Sequence, residues 1–383
     1  MSSSGQSGVP RPPANHLGRR ATNTSTSLVV ILLLSLAAAW DAPAAASKVK
    51  RDEEIVFFPG LAWRAPGGKV WQLEIRGCVY EPESRRLGLG LLRRALELKG
   101  VALDDAEARI LTTRARGFMV DHEGGRPVVV SIGSKIFNLG KCGEDGAFER
   151  ILEVPDAVVR AASTPTTLRF STVLPKGDTR LFEGELVLLP ESGLLVVSDI
   201  DDTIKVTGVT DHKTLLRRTF LEPMEPVAGM ADLYRRWADE RQARFCYLSG
   251  SPWQLFLPLS DFRRRSGFPP GGFYLRRLRW NDASALDFLA TAKPHKEEVL
   301  ERLMQRFPRH RFILVGDSGE QDPETYAGMA ARHPHQVEAI LIRDVTGQGG
   351  GSERYQALRS RLRATQFQVF TDPGRIVLPA KGV

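Results

Sequence analysis

Residues 194–197, Leu-Leu-Val-Val, run into Ser198 and then into two carboxylates set two positions apart, Asp199 and Asp201. The apolar run is short for a helix and reads as a strand buried on both faces. Alternate side chains of an extended chain point the same way, so both acids meet on one side. Their repulsion is relieved most simply by a divalent cation. Magnesium suits such a place, because it accepts a few carboxylate oxygens, keeps several waters and tolerates phosphate as a further ligand. The pair taken alone has a second reading as a helix cap, since Asp and Thr both cap well.

Three further clusters could join that chemistry. Residues 244–248 form a strand-like run that leads into Ser249-Gly250-Ser251-Pro252-Trp253. A hydroxyl and free backbone amides at a helix start can cradle a phosphoryl group, although this sequence by itself also describes a turn. Residues 311–315 lead into Gly316-Asp317-Ser318-Gly319-Glu320-Gln321-Asp322-Pro323-Glu324. Acids gathered at a strand end suggest a cation site, while Asp322 before Pro323 also suits a helix cap. Lys296, in Lys293-Pro294-His295-Lys296-Glu297, opens a helix, where a lysine is ordinarily solvated.

These residues need a scaffold that brings strand ends together. After Pro190 strands and helices alternate: strands at 194–199, 244–248, 273–275, 311–315 and 337–342, with helices from 226, 252, 294 and 323. Val227, Met230, Leu233, Tyr234 and Trp237 form one apolar helix face. This rhythm predicts an α/β domain with a doubly wound parallel sheet, whose ligands sit at the carboxyl ends of its strands. Residues 47–190 read as a smaller β-rich, sandwich-like domain. Its expected strands are 69–80, a hairpin of 117–121 and 126–132 around the turn 122–125, then 148–154, 167–174 and 181–189, with helices at 87–98 and 104–112.

In that setting D-x-D-x-T resembles the first motif of the haloacid-dehalogenase superfamily of aspartate-nucleophile phosphotransferases. The stretch Ser198-Asp199-Ile200-Asp201-Asp202-Thr203-Ile204-Lys205 is similar to the actin-patch type of magnesium-dependent phosphatidate phosphatases, and the resemblance extends over the half after Pro190. It implies that Asp199 is the nucleophile, forming an aspartyl-phosphate, and that Asp201 is the acid and base. Ser249 and Gly250, in the second motif, would bind the transferred phosphate, and Lys296, in the third, would join nucleophile and phosphate, with Lys293 in reserve. The spacing G-D-x-x-x-x-D resembles the fourth motif. It implies Mg2+ held by Asp199, the backbone carbonyl of Asp201 and Asp317, with Asp322 as an outer or alternative ligand. Thr203 would support the loop through hydrogen bonds, and His295 is read as structural. The implied substrate is phosphatidate or a related phospholipid monoester. The alternatives are a soluble phosphate ester, or a non-catalytic module that binds phospholipid or accepts phosphate.

The rest of the chain of 383 residues sets the context. Residues 1–27 are rich in Ser, Gly, Pro and Asn; Arg19 and Arg20 precede the apolar run 28–39, and small residues follow to Ala46. Residues 1–46 read as a signal peptide cleaved after Ala46, giving an exported protein, or as an uncleaved anchor with one N-terminal membrane segment. The net charge is +8, and loss of Arg11, Arg19, Arg20 and Asp41 on cleavage leaves +6. This mild excess favours anionic phospholipids or phosphate esters as partners, with peripheral membrane contact through Arg217, Arg218 and residues 263–265. No basic run is interleaved with aromatics, so no nucleic acid is expected. Trp63 and Trp71 read as core, and the Arg85-Arg86 and Arg93-Arg94 pairs as solvated surface. Trp253, Leu255, Phe256 and Leu257 form either helix core or an apolar lip for acyl chains. Of three cysteines, Cys246 lies in a strand and only Cys78 with Cys142 makes a conceivable disulfide.

Overall fold

The computed structural model describes residues 46–82, 102–277, 292–362 and 365–378. The first part of the chain runs β1 (Glu54–Phe58), β2 (Gly60–Arg64), β3 (Val70–Pro82), helix α1 (Asp105–Ala115), β4 (Val120–His122), β5 (Pro127–Ile132) and β6 (Lys135–Lys141). It continues through β7 (Ala147–Pro155), helix α2 (Asp156–Ala162), β8 (Thr167–Thr172) and β9 (Glu183–Leu188). These nine strands form one sheet: seven follow the hydrogen-bonded path β1-β3-β2-β9-β8-β5-β6, and β4 and β7 pair with β3 off that path. The sheet is mixed, because β2 and β9 are parallel and the other pairs antiparallel. One long strand explains the single path: the 13 residues of β3 carry β1 and β2 on one edge and β7 and β4 on the other.

The expected hairpin of 117–121 with 126–132 does not form. Residues Arg116–Phe118 make a short 3-10 turn that buries Phe118, so only β4 is left extended, and it pairs with β3. β5 instead pairs with β6 and β8. β6 buries only Leu139, which is why no period announced it. Helix 104–112 appears as α1, with Asp104 and Glu107 closing a capping box.

The second part consists of β10 (Gly193–Ser198), α3 (His212–Phe220), α4 (Met230–Glu240), β11 (Arg244–Pro252), α5 (Phe256–Arg265) and β12 (Gly271–Arg276), followed by α6 (Lys293–Arg306). β13 (His310–Asp317), α7 (Asp322–Arg332), β14 (Val337–Arg343), α8 (Glu353–Arg359) and β15 (Gln366–Phe370) complete it. The sheet order is β12-β11-β10-β13-β14-β15, and every pair is parallel. Period two decides which face each strand residue covers. Leu194 and Val196 join an apolar cluster with Leu233, Tyr234 and Trp237 of α4. Leu195 and Val197 join another with Val299 and Leu300 of α6 and Tyr326 and Met329 of α7. Helix α4 begins at Met230, after the left-handed Gly229, rather than at Pro226. β11 runs on to Pro252, so α5 starts at Phe256 after a 3-10 turn and not at Pro252.

Residues 44–383 form one compact unit. Val56, Cys78 and Tyr80 of the mixed sheet lie in the same apolar cluster as Val196 and Phe245. A buried polar clamp adds to this joint, with Glu74 accepting from the Tyr274 hydroxyl at 2.8 Å and from Arg306 at 2.7 Å. Trp71 is buried and Trp63 packs edge-on against Phe307, as core aromatics do. Leu255 and Phe256 are core residues, whereas Leu257 is 58% exposed. Cys78, Cys142 and Cys246 are all buried free thiols, so the conceivable disulfide is absent. Cys78 faces the carbonyls of Val79 and Asp145, and Cys142 that of Glu123. Residues 1–45, the expected helix 87–98 and the two arginine pairs at 85–86 and 93–94 lie outside the described residues. Among the described residues, no helix is long and apolar enough to cross a membrane.

Candidate active site

β10 is central in the parallel sheet, and its last step places Asp199 between the ends of β11 and β13. The Asp199 amide donates to the Val315 carbonyl at 2.8 Å, extending the β10 to β13 ladder by one residue. Its own carbonyl accepts from the Ser198 hydroxyl at 2.6 Å, which in turn accepts from Tyr234 at 2.7 Å. β13 ends at Asp317, whose Oδ1 accepts the amides of Gly319 at 2.7 Å and Glu320 at 3.2 Å. Asp322 opens α7, but its carboxylate does not cap that helix. It turns back to the Asp317 amide, and a side chain at Gly316 would collide with it, so glycine is required there.

Lys296 draws these acids together. Its side chain is 1% exposed, and Nζ reaches Asp199 Oδ1 at 2.9 Å, Asp322 Oδ1 at 2.6 Å and Glu320 Oε2 at 2.9 Å. Three donors thus meet three carboxylates. Burial opposes the lysine's charge, but Asp199, Asp322 and Glu320 outweigh it and hold its pKa well above the ordinary value. Lys293, the reserve candidate, lies at the surface with its ammonium 4.0 Å from Glu297. His295 approaches the Tyr274 carbonyl at 3.4 Å, and burial lowers its pKa, consistent with a structural role.

One lysine among four carboxylates leaves the site strongly negative. Burial pushes Asp199 well above the usual carboxylate range; Lys296 opposes the shift, and Asp322, Glu320 and Asp317 add to it. Asp317 is raised by burial and by Asp322 and Glu320. Burial carries Asp322 to about 6 against the pull of Lys296. Oxygens of Asp199, Asp317 and Asp322 lie within 4.8 Å of one another, and Asp199 Oδ2 and Asp317 Oδ2 are buried with no hydrogen-bond partner. Such a donor set fits a hard divalent cation, which would satisfy both orphaned oxygens and offset the repulsion.

Asp201 lies in a second cluster. Its Oδ1 meets Lys205 Nζ at 2.7 Å and the Thr207 hydroxyl at 2.9 Å. Its Oδ2 accepts from Ser251 at 2.9 Å and Ser249 at 3.2 Å. Burial works against its charge, but Lys205 and the hydroxyls of Ser251 and Thr207 outweigh it, leaving the pKa below the ordinary value. The Asp201 side chain is not part of the three-aspartate group. The Ser249 hydroxyl, expected at the phosphate, contacts Asp201 and takes the Ser251 amide. Gly250 has a packing reason, because a side chain there would strike Ala292 at the start of α6.

Thr203 does not support the loop as expected, since its hydroxyl is buried without a partner. The neighbouring Asp202 does that work. It adopts a left-handed φ of 55°, and its carboxylate accepts the amides of Thr207, Gly208 and Val209 at 2.8, 2.7 and 2.6 Å. Arg343 braces the same turn through the Asp202 carbonyl at 2.7 Å, and Arg354 braces the other loop through the carbonyls of Ser318 and Glu320. Lys205, Thr207, Ser251, Glu320, Arg343 and Arg354 were not singled out in the sequence. Lys205, Ser251 and Glu320 sat inside quoted motifs, but a lysine beyond a turn reads as exposed.

Residues 194–344 match the family model described as "Phosphatidate phosphatase APP1, catalytic domain". Phosphatidate phosphatase APP1 of Saccharomyces cerevisiae is 36% identical over 154 residues, 39% of this chain and 26% of that protein. An uncharacterized protein of Schizosaccharomyces pombe is 30% identical over 185 residues, 47% of this chain and 30% of that one. The matched region thus spans less than a third of either relative's length. A β-glucuronidase of Parabacteroides merdae aligns over 82% of this chain and 40% of its own at 10% identity and a TM-score of 0.27. A sialyltransferase of Photobacterium damsela aligns over 63% and 50% at 9% identity and a TM-score of 0.23. Scores this low establish no shared fold.

Proposed function

We propose that this chain is a magnesium-dependent phosphatase that hydrolyses phosphatidate, or a related phospholipid monoester, to diacylglycerol and phosphate through an aspartyl-phosphate on Asp199. In this reading the parallel sheet with its helices is a haloacid-dehalogenase-like doubly wound domain of residues 191–383, and residues 47–190 are an accessory domain. Residues 1–46 export the protein if cleaved, and otherwise anchor it by one membrane segment. The observation that carries the reading is Lys296 joining Asp199 to Asp322, beside the two orphaned oxygens of Asp199 and Asp317. The family match over 194–344 supports the substrate class.

Asp199, Asp317 and Asp322 would hold the cation, with the Asp201 carbonyl as a further ligand. When bound, magnesium offsets the charge shared by these carboxylates and the phosphate oxygens. A carboxylate oxygen of Asp199 forms a bond to phosphorus as the bond from phosphorus to the alcohol oxygen breaks. Asp201 gives that oxygen its proton, and in the second step takes one from the water whose oxygen displaces Asp199 from phosphorus. Because Lys205 and two hydroxyls keep Asp201 ionised at rest, the first proton enters with the substrate. A phosphate monoester, with a second pKa of about 6, brings it as the monoanion. Lys296 keeps Asp199 oriented, and Ser249 is shared between Asp201 and the phosphate.

The test is phosphate release from phosphatidate in detergent micelles, with and without magnesium, for the parent chain, Asp199→Asn and Asp201→Asn. Magnesium-dependent release abolished in both variants is expected. Wild-type turnover in both variants would falsify the mechanism. Activity confined to short-chain or sugar phosphates would move the substrate to the soluble class.

A further inference from the structure

A cavity of about 780 Å³ lies where α1, α5 and the end of β3 meet, away from the three-aspartate group. Arg109, Arg114, Arg116 and Arg265 line it, against two carboxylates, Glu54 and Asp261. Both carboxylates are already engaged: Glu54 accepts from the Tyr80 hydroxyl at 2.8 Å, and Asp261 pairs with Arg264 and Arg265 along α5. Among the described residues, Arg109, Arg114 and Arg116 have no carboxylate partner. Arg114 is buried and donates to the Arg218 and Thr219 carbonyls at 3.2 and 2.6 Å. Burial, and then the like charge of Arg265, lower its pKa to about 10. Cationic crowding of this kind is relieved by an anion.

The remaining wall is apolar. Ile110, Met224, Pro258 and the exposed Leu257 face the same space as the arginines. Guanidinium groups beside exposed apolar surface match a ligand with a phosphate at one end and a hydrocarbon chain at the other. Gln254, in this wall, is three residues from Ser251, whose hydroxyl touches Asp201. Three residues of chain span at most about 10 Å, so the cavity begins close to the acid and base.

We propose that this cleft binds an anionic phospholipid from the bilayer surface, its phosphate among Arg109, Arg114 and Arg116 and an acyl chain against Leu257, Met224 and Ile110. The cleft lies outside the catalytic residues, and the proposal does not rest on their chemistry.

The test is sedimentation with phosphatidylcholine vesicles, plain or doped with phosphatidate, using the Asp199→Asn chain so that no lipid is consumed. Binding to doped vesicles well above plain ones is expected. Adding Arg109→Glu and Arg116→Glu, both at exposed positions, should weaken it at least ~30-fold, the loss of two ordinary arginine contacts to an anionic surface. Leu257→Ser should weaken it without changing the charge. Arg309→Glu with Arg375→Glu, exposed positions outside the cleft with the same charge change, should leave it intact. Equal loss in both charge-reversed pairs would reduce the effect to diffuse attraction and overturn the site. Release by glycerol 3-phosphate would assign the cleft to a soluble ester, and equal sedimentation with plain and doped vesicles would show that no anionic headgroup is read there; either outcome overturns the proposal. Hydrolysis without cleft-dependent binding would sink this inference alone, and binding without hydrolysis by the parent chain would sink only the catalytic reading.

Discussion

The ammonium of Lys296 stands 2.6 Å from Asp322 and 2.9 Å from Asp199, with all three side chains 1% exposed. It carries the charge of two strand ends at once. Replacing it by glutamine keeps a polar end on a side chain one atom shorter and removes the cation, leaving buried carboxylates uncompensated. Lys296→Gln should cost about 3–5 kcal/mol of stability. Phosphate release should fall by about 10²–10³. Thermal denaturation and single-turnover rates, measured on the same preparation, read the two losses separately. A variant matching the parent in both would remove Lys296 from the site.

The three aspartates also make stability depend on pH when no cation is bound. Asp322 is raised to about 6, and Asp199 and Asp317 are raised as well, so the folded chain holds protons that the unfolded chain has released. A raised acid contributes stability that is complete below its unfolded pKa of about 4 and is lost as pH rises through the folded value. Asp201 has the opposite shift, and its contribution disappears only as pH falls below the ordinary carboxylate range. In chelator, the melting temperature should therefore fall between about pH 4 and 6 from these groups. The rise in melting temperature produced by magnesium should be at least ~2 °C larger at pH 8 than at pH 5. Melting curves with chelator and with magnesium at both pH values check this, and a gap that narrows with pH would contradict the assigned cluster.

Asp202 holds its loop with three amide contacts in a backbone conformation that few side chains adopt. Asp202→Ala removes the acceptor and keeps the strain, and should cost about 2–4 kcal/mol. Asp202→Asn tolerates the same φ and retains one acceptor oxygen, so its loss should be clearly smaller. Urea denaturation ranks the two, and equal losses would deny the carboxylate its organising role.

Glu74 is fully buried in the mixed sheet, yet its partners Tyr274 and Arg306 belong to the parallel sheet and to α6. Glu74→Gln should cost about 3–5 kcal/mol, because Arg306 and Arg76 then lose their shared counter-charge. Combining it with Arg306→Met should cost less than the sum of the single changes by at least ~1 kcal/mol. A double-mutant cycle in chemical denaturation supplies the number, and strict additivity would show that the clamp carries no coupling.

Much of the site was readable because the relevant signals are local. The unbroken apolar run at 194–197 announced a strand buried on both faces, and the motif spacing placed Asp199 and Asp317 at strand ends with Asp322 opening the next helix. Signals that depend on distant chain were silent. Lys205 looks like any lysine beyond a turn; its partner Asp201 is four residues away, but that acid is buried only because β11 brings Ser249 and Ser251 against its other oxygen. Glu320 and Arg354 become part of the site only because α6 and α8 pack beside one loop. The hairpin expected at 117–132 failed because β3 offered β4 a longer edge, a competition invisible in the turn residues.

By itself, the order of residues determined the parallel strand rhythm after Pro190 and the acids waiting at the ends of β10 and β13, since periodicity and spacing act within a few residues. Only the tertiary structure decided which charges face one another: Lys296 rather than Lys293 among the acids, Asp202 rather than Thr203 holding the loop, Asp201 with Lys205 apart from the three aspartates. The reason is that Coulomb attraction and desolvation depend on distance through space and on burial, and neither is a property of sequence separation.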